Sequence, residues 1–297
     1  MSPRLRGITS MLLSVGFFAG MDALLKTLSH SYPSLEVSAL RGAASLPFVV
    51  AVVLLRGNLR DLKPVRWPLH LVRGVLAIIM LTSFIYALRV LPMADAYAVF
   101  LAAPLIVTGL SVPLLGERVD WRRWVAIAIG LAGTLALLRP TAASLATVGA
   151  LAAVASALCY ALSAITIRVL TRTDSTASMV FWFMAMLTVF AGILAAPSWV
   201  PIRSEHWPLL AGVGVLGAFG QHLVTEAFRH APASAVAPFE YTALLWAVAI
   251  DWLVWAHAPG AGMLAGAAII IASGLYLIHR ERRDQRAATI AECNVPP

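Results

Sequence analysis

The sequence predicts an all-α integral membrane fold of ten transmembrane helices, arranged as two inverted five-helix repeats. Three observations carry this. Of 297 residues, 60% are hydrophobic and 12% charged, against about 25% charged in an average soluble domain, and the mean hydropathy is +0.85. Ten apolar runs approach the roughly 20 helical residues that a hydrocarbon core about 30 Å thick requires. The two halves also resemble each other at a near-constant offset. Together these exclude an ordinary soluble enzyme. The runs are continuously apolar, which excludes a β-barrel of alternating strands.

In chain order the spans fall near 7–28, 34–55, 68–88, 93–115, 123–138, 147–170, 176–196, 207–229, 233–255 and 262–279. The fifth and tenth are short. Between spans, RGNLRDLKP, GERVDWRR, LRPTAAS, APSWVPIRSE and WAHAPGAG carry the Pro, Gly, Arg and Asn that end helices. The opening MSPRLRG and its apolar stretch mimic a signal peptide, but no small-x-small cleavage site follows a short core, so it reads as a resident first helix. Cys159 lies in an apolar run and Cys293 in the polar tail, so no disulfide or zinc framework is implied.

Orientation follows from Lys and Arg counted by side. With the N-terminus inside, the inner segments hold seventeen: Arg4, Arg6, Arg56, Arg60, Lys63, Arg66, Arg73, Arg118, Arg122, Arg123, Arg168, Arg172, Arg229, Arg280, Arg282, Arg283 and Arg286. The outer side holds four, Lys26, Arg89, Arg139 and Arg203, and Arg41 lies within the second span. Both termini are therefore expected in the cytoplasm. The net charge of +8 and the pI near 10.2 would raise nucleic-acid binding in a soluble protein. Here they mark the inner face, and the expected surroundings are a lipid bilayer, with no nucleic acid.

Sliding the chain by 142 aligns Gly7 with Gly149, Ser14 with Ser156, Ala19 with Ala161, Lys26 with Arg168 and Leu28 with Leu170. A slide of 140 lays YALRVLPMADA on EAFRHAPASAV, stacking Arg89 on Arg229 and Pro92 on Pro232; one residue more sets Gly133 on Gly274 and Arg139 on Arg280. The domains are thus 1–144 and 145–280, each of five spans, and a polar cytoplasmic tail 281–297. An odd number of spans makes the second copy enter the membrane from the opposite side. That is the inverted-repeat plan of many secondary transporters, which bind substrate near the midplane between repeats.

Ionisable groups inside a span are costly, so each needs a partner or a task. Asp22 and Arg41, on helices joined by the Tyr32-Pro33 turn, both lie about 10 to 12 Å below the outer surface and can pair. Lys26, four residues after Asp22, shares its face. This group is an ion-paired staple or a substrate or gating contact. On the eighth span, Gln221, His222 and Glu226 form a polar group in which His222 is the natural proton carrier or else a buried neutral His. Without a HExxH spacing or a Cys/His cluster, no metal site is expected. Glu240 follows Pro238, about 12 Å in from the cytoplasm, where a proline interrupts the helix as transporters do at binding sites. Tyr97, Leu101 and Pro104 share one face of the fourth span, and Tyr241 aligns with Leu101. These faces, with Trp182, line the expected cavity or else serve ordinary helix packing. GVGVLG at Gly212–Gly217 matches GxGxxG, but it lies inside an apolar span with no preceding strand. With Gly220 it reads as a small-residue packing face.

The stretch LRVLPMADAYAVFLAAPLIVTGLSVPLLGERVDWRRWVAIAIGLAGTLALLRP, with AFRHAPASAVAPFEYTALLWAVAIDWLV, resembles the EamA-type drug/metabolite transporter superfamily. The family features present are Lys26, Arg41, Pro104 and the Gly116-Glu117-Arg118 turn. In the second repeat Asp251 and Ala256-His257 stand where relatives often carry Gly and a Gly-Glu pair. The resemblance implies a carrier of ten helices and no cofactor. The expected function is a secondary transporter of a bacterial-type inner membrane, exporting amino acids or related metabolites as a monomer or weak homodimer. Charges of both signs (Asp22, Arg41, Glu240, His222) among aromatic walls suit a zwitterion with an apolar side chain. Proton-driven multidrug or organic-cation efflux is the alternative; it favours a lone buried carboxylate in each half. An intramembrane enzyme would need a nucleophile with its base or a paired-aspartate motif, and neither is present. No Walker A motif is found, so energy comes from a gradient or the substrate equilibrates.

Overall fold

The computed structural model describes residues 3–55, 62–91, 93–117, 119–121, 124–125, 127–129, 131–132, 147–255, 268 and 272. Most of the expected fifth span, the tenth span, the 144/145 junction and the tail 281–297 lie outside them. Among the described residues the chain is all helical. The order is α1 (Pro3–Ser29), α2 (Ser34–Leu55), α3 (Trp67–Val90), α4 (Met93–Phe100), α5 (Ala103–Leu115), α6 (Val148–Leu170), α7 (Thr176–Ala195), α8 (Trp207–His230), α9 (Ala233–Val236), a 3-10 segment Ala237–Thr242, and α10 (Ala243–Trp255). Six helices among the described residues are long and apolar enough to cross a membrane by length and composition: α1, α2, α3, α6, and those containing α7 and α8.

Local chemistry sets the ends. Thr147 and Ser175 sit in extended backbone and cap α6 and α7, accepting from Ala150 N at 3.3 Å and Ser178 N at 2.9 Å. Pro68 and Pro208 occupy the first turns of α3 and α8, where a missing N–H costs nothing. Gly116 ends α5 at φ +68°, a left-handed cap that glycine adopts without Cβ strain.

Two expected spans are not continuous. The fourth breaks after Phe100, and Pro104 starts α5 rather than sitting mid-helix. Turn bonds bridge the gap, with Leu101 N donating to Tyr97 O at 2.9 Å and Ala102 N to Val99 O at 3.1 Å. The ninth runs as one α-turn, the 3-10 segment holding Pro238, Glu240 and Tyr241, then α10. Pro238 supplies the cause, since proline removes a donor and disfavours helix at the preceding residue.

The halves are interleaved, not side by side. The most extensive helix contacts are α1 with α8, α2 with α7 and α3 with α6. Glycines let these backbones approach. A Cβ on Gly214 of α8 would lie 2.3 Å from the Ala44 carbonyl oxygen of α2, and one on Gly217 would lie 2.8 Å from Ser45 Oγ. The GVGVLG stretch is therefore a packing face. Outward faces carry exposed Leu55, Leu151, Leu194 and Leu253, as lipid-facing helices do.

Gly214→Ala should lower the unfolding temperature in detergent, at a cost of about 1 to 3 kcal/mol from overpacking. The matching Gly192→Ala, whose Cβ would meet nothing within 4 Å, should leave it level or raise it. Differential scanning fluorimetry of the two variants makes the comparison.

Candidate substrate cavity

One face of α6 carries Ser156, Tyr160, Ser163, Ala164 and Ile167, and one face of α1 carries Val15, Phe18, Ala19 and Asp22. Both spacings follow the helical repeat. With Arg41, Phe84, Tyr97, Phe100, Phe183, Gln221 and Glu240 among others, they line a central cavity of about 120 Å³. Both helix breaks reach it: Phe100 and Leu101 from the first, Glu240 and Ala243 from the second.

Of the twelve residues that the sequence singles out, the structure brings six together here: Asp22, Arg41, Tyr97, Leu101, Gln221 and Glu240. The expected Asp22–Arg41 pair takes another form. The Asp22 carboxylate accepts from the Tyr97 hydroxyl at 2.7 Å, and Arg41 interacts with it electrostatically while its guanidinium lies 5.5 Å from the Phe18 ring centre. Arg41 is 4% exposed and its Nε has no partner. Glu240 is 5% exposed, its Oε1 has no partner, and the Tyr160 hydroxyl lies within hydrogen-bonding reach of its carboxylate.

The other six stand elsewhere. Lys26 is half-buried one turn beyond Asp22, off the cavity wall. Tyr241 is 1% exposed and packs behind the wall with Phe84, Tyr97 and Leu101. Pro104 and Pro238 shape the breaks. Trp182 donates to the Leu62 carbonyl at 2.9 Å and meets Trp67 edge-on at 4.6 Å, at the end of the bundle where α6 meets α7. His222 does not line the cavity; it faces Glu226, whose carboxylate also takes His230 at 2.9 Å and the Thr176 hydroxyl. Of the basic residues counted toward the inner face, Arg73 is buried: it is 1% exposed within α3, donating to Met179 O at 2.8 Å with its guanidinium 4.6 Å from the Phe183 ring centre.

Residue-by-residue reading misses Phe18, Phe84, Phe100, Tyr160, Ser163 and Phe183. The repeat offset holds the signal. Adding 142 to Phe18, Met21, Asp22 and Arg41 gives Tyr160, Ser163, Ala164 and Phe183, and adding 140 to Leu81, Phe84 and Phe100 gives Gln221, Val224 and Glu240; all fourteen line the cavity.

Hydrogen bonds between the halves close both ends of the bundle. At the α6–α7 end, Asp174 accepts from Val65 N at 2.8 Å, pairs with His70 Nε2 at 2.9 Å and accepts from Thr173 Oγ1 at 2.7 Å, while Ser178 Oγ donates to Leu62 O. Nearby, Glu117 accepts from Ala233 N at 2.9 Å, Ser234 N at 3.1 Å and Ser234 Oγ at 2.7 Å, with Arg168 at 3.9 Å. At the α1–α2 end, the Tyr32 hydroxyl accepts from Arg203 N at 3.0 Å and bonds His206 Nδ1 at 2.8 Å, and Glu36 accepts from Val200 N at 2.9 Å.

The family model of the EamA-like transporter family matches residues 5–139 and again 147–279. The chain therefore belongs to that family and is a multi-pass membrane transporter, not an enzyme. Two curated relatives are each 29% identical. The pseudopaline exporter CntI of Pseudomonas aeruginosa aligns over 91% of this chain and 95% of its own; an S-adenosylmethionine uptake transporter of Rickettsia conorii aligns over 94% of each. A crystal structure with 22% identity superposes with a TM-score of 0.77 over 95% of this chain and 98% of that one, a likeness of fold.

Burial of Asp174 raises its pKa, but the bonds from His70, Thr173 and Val65 outweigh this and hold the carboxyl below its usual 3.8. A depressed native pKa contributes stability above the unfolded value and loses it as pH falls through the native one. Asp174→Asn should thus cost about 1.5 to 3 kcal/mol at neutral pH. The gap from wild type should shrink below pH 3.8 in thermal melts across a pH series; a constant gap would remove the charge from the account.

Proposed function

We propose that the chain is a secondary carrier of the inner membrane that exports amino acids or similar small zwitterions by alternating access. The observation that carries this is the cavity itself: Asp22, Arg41 and Glu240 place both signs of charge among aromatic walls where two broken helices meet. Half-buried aromatics with polar tips offer apolar area and a hydrogen bond together. Export follows the exporter among the relatives. Uptake, the direction of the other relative, is the outcome a transport assay would set against it.

The inverted plan of residues 1–144 and 145–280 draws support from paired contacts. Gly7 meets Ala231 as Gly149 meets Leu91, and Gly74 meets Met186 as Gly214 meets Ala44; each pair is related by 140 or 142 residues. The end closures correspond in part: Tyr32 with Asp174 and Glu36 with Ser178 are 142 apart, while their partners are offset by 136 or 138. Asp174 with Val65 and His70 answers Tyr32 with Arg203 and His206, and Ser178 with Leu62 answers Glu36 with Val200. A set of bonds at each end of one cavity, both made in this structure, supplies the two gates that alternating access would open in turn. With both termini cytoplasmic, as the basic residues favour, the α6–α7 end faces the cytoplasm.

A second reading, proton-driven efflux of organic cations, has one observation in its favour: each half supplies a cavity carboxylate, Asp22 and Glu240. Buried Arg41 opposes it, because a cation without a carboxylate leaves the guanidinium unmatched.

Purified protein in liposomes should exchange labelled amino acids, and Asp22→Asn should reduce exchange at least about tenfold, as expected for removing one side of a desolvated charge contact, while remaining monodisperse. Movement of tetraphenylphosphonium under a pH gradient, with no amino acid moving, would replace the leading reading by the second.

A further inference from the structure

The cavity charges do not balance for a simple zwitterion. Asp22 has Tyr97 on its carboxylate and Arg41 acting on it electrostatically. A zwitterion's ammonium and carboxylate match those two groups and leave Glu240 over. Glu240 Oε1 is buried with no partner, and its side-chain neighbour is the Tyr160 hydroxyl, a neutral donor. The equivalent position in the other half is Phe100, which lines the same cavity with its ring 5.5 Å from that of Tyr160. An ionised carboxylate in that setting is an uncompensated buried charge, which proteins pair or put to use.

We propose, building on the zwitterion reading, that Glu240 is the seat of a second cationic centre on the substrate. The preferred substrates are then amino-acid-like molecules of net charge +1: one carboxylate directed to Arg41, an ammonium to Asp22, and a side-chain cation to Glu240. The distal cation is one that tolerates an aromatic setting, a guanidinium, sulfonium or ring-borne amine, since Tyr160 reaches the carboxylate and the Phe100 ring lies 5.5 Å from its own, and aromatic faces attract cations. Tyr160 acts as a positioning residue that holds the carboxylate oriented through its hydroxyl.

Matched pairs of probes that differ mainly in that charge test this by counterflow in liposomes. Arginine is compared with citrulline, and S-methylmethionine with methionine. Wild type should exchange the cationic member of each pair at least about tenfold better by kcat/KM. Glu240→Gln should bring the ratio of cationic to neutral exchange close to one in each pair, whatever it does to the overall rate; Tyr160→Phe should lower that ratio. The wild-type comparison stands even if a variant does not fold. Citrulline and methionine exchanged as well as their cationic partners would overturn the Glu240 assignment and leave amino-acid transport intact. If none of the four exchanges, the zwitterion reading and this inference fall together.

Discussion

Inside a bilayer every backbone donor and acceptor must be satisfied within the protein, so an interrupted helix persists only where it lines a cavity or is buried in protein. The rest of this structure depends on that constraint. The two interruptions among the described residues, at Leu101-Ala102 and across Ala237–Thr242, both border the same central space. Each is closed by short-range turn bonds, so the chain can bring a carboxylate to the middle of the bundle without stranding its backbone.

Around the cavity, position and chemistry follow different rules. Equivalent positions of the two halves face it from Phe18 and Tyr160 through Phe100 and Glu240. Yet each charged residue has an uncharged counterpart: Asp22 answers Ala164, Arg41 answers Phe183, and Glu240 answers Phe100. A scaffold that repeats can move symmetrically, but recognition of one unsymmetrical small molecule requires that its side chains do not repeat. The end closures divide similarly. At the α6–α7 end the histidine contact is to a fully buried carboxylate, and Glu117 adds an anionic cap on the backbone N–H groups that open α9, where the helix dipole favours negative charge. At the α1–α2 end the matching contact is to the phenol of Tyr32.

Some buried charge lies outside the cavity, in the walls and closures. Arg73 stacks on the ring of Phe183, whose side chain lines the cavity, so a cation stands directly behind the wall. Glu226 gathers Thr176, His222 and His230, which turns the polar group of the eighth span toward the closure at the α6–α7 end and leaves Gln221 alone of that group to face the cavity.

By itself the sequence determined the solvent and the all-helical, multi-pass class. These depend on composition, run length and spacing, which are local quantities. It also singled out Asp22, Arg41, Tyr97, Gln221 and Glu240, because a polar group in an apolar run is conspicuous wherever it points, and Leu101 through the face it shares with Tyr97. Which of the conspicuous groups converge was a tertiary decision. Trp182 and Tyr241 are as suitable on paper as Tyr97, and His222 as suitable as Gln221, but helices that are apolar on every side carry little information about rotation, and a shift of one residue along a turn moves a side chain by about 100°. The aromatic wall of Phe18, Phe84, Phe100 and Phe183 was invisible for the complementary reason: phenylalanine is commonplace in a membrane span until packing of α1 on α8 and α3 on α6 sets those faces around one space.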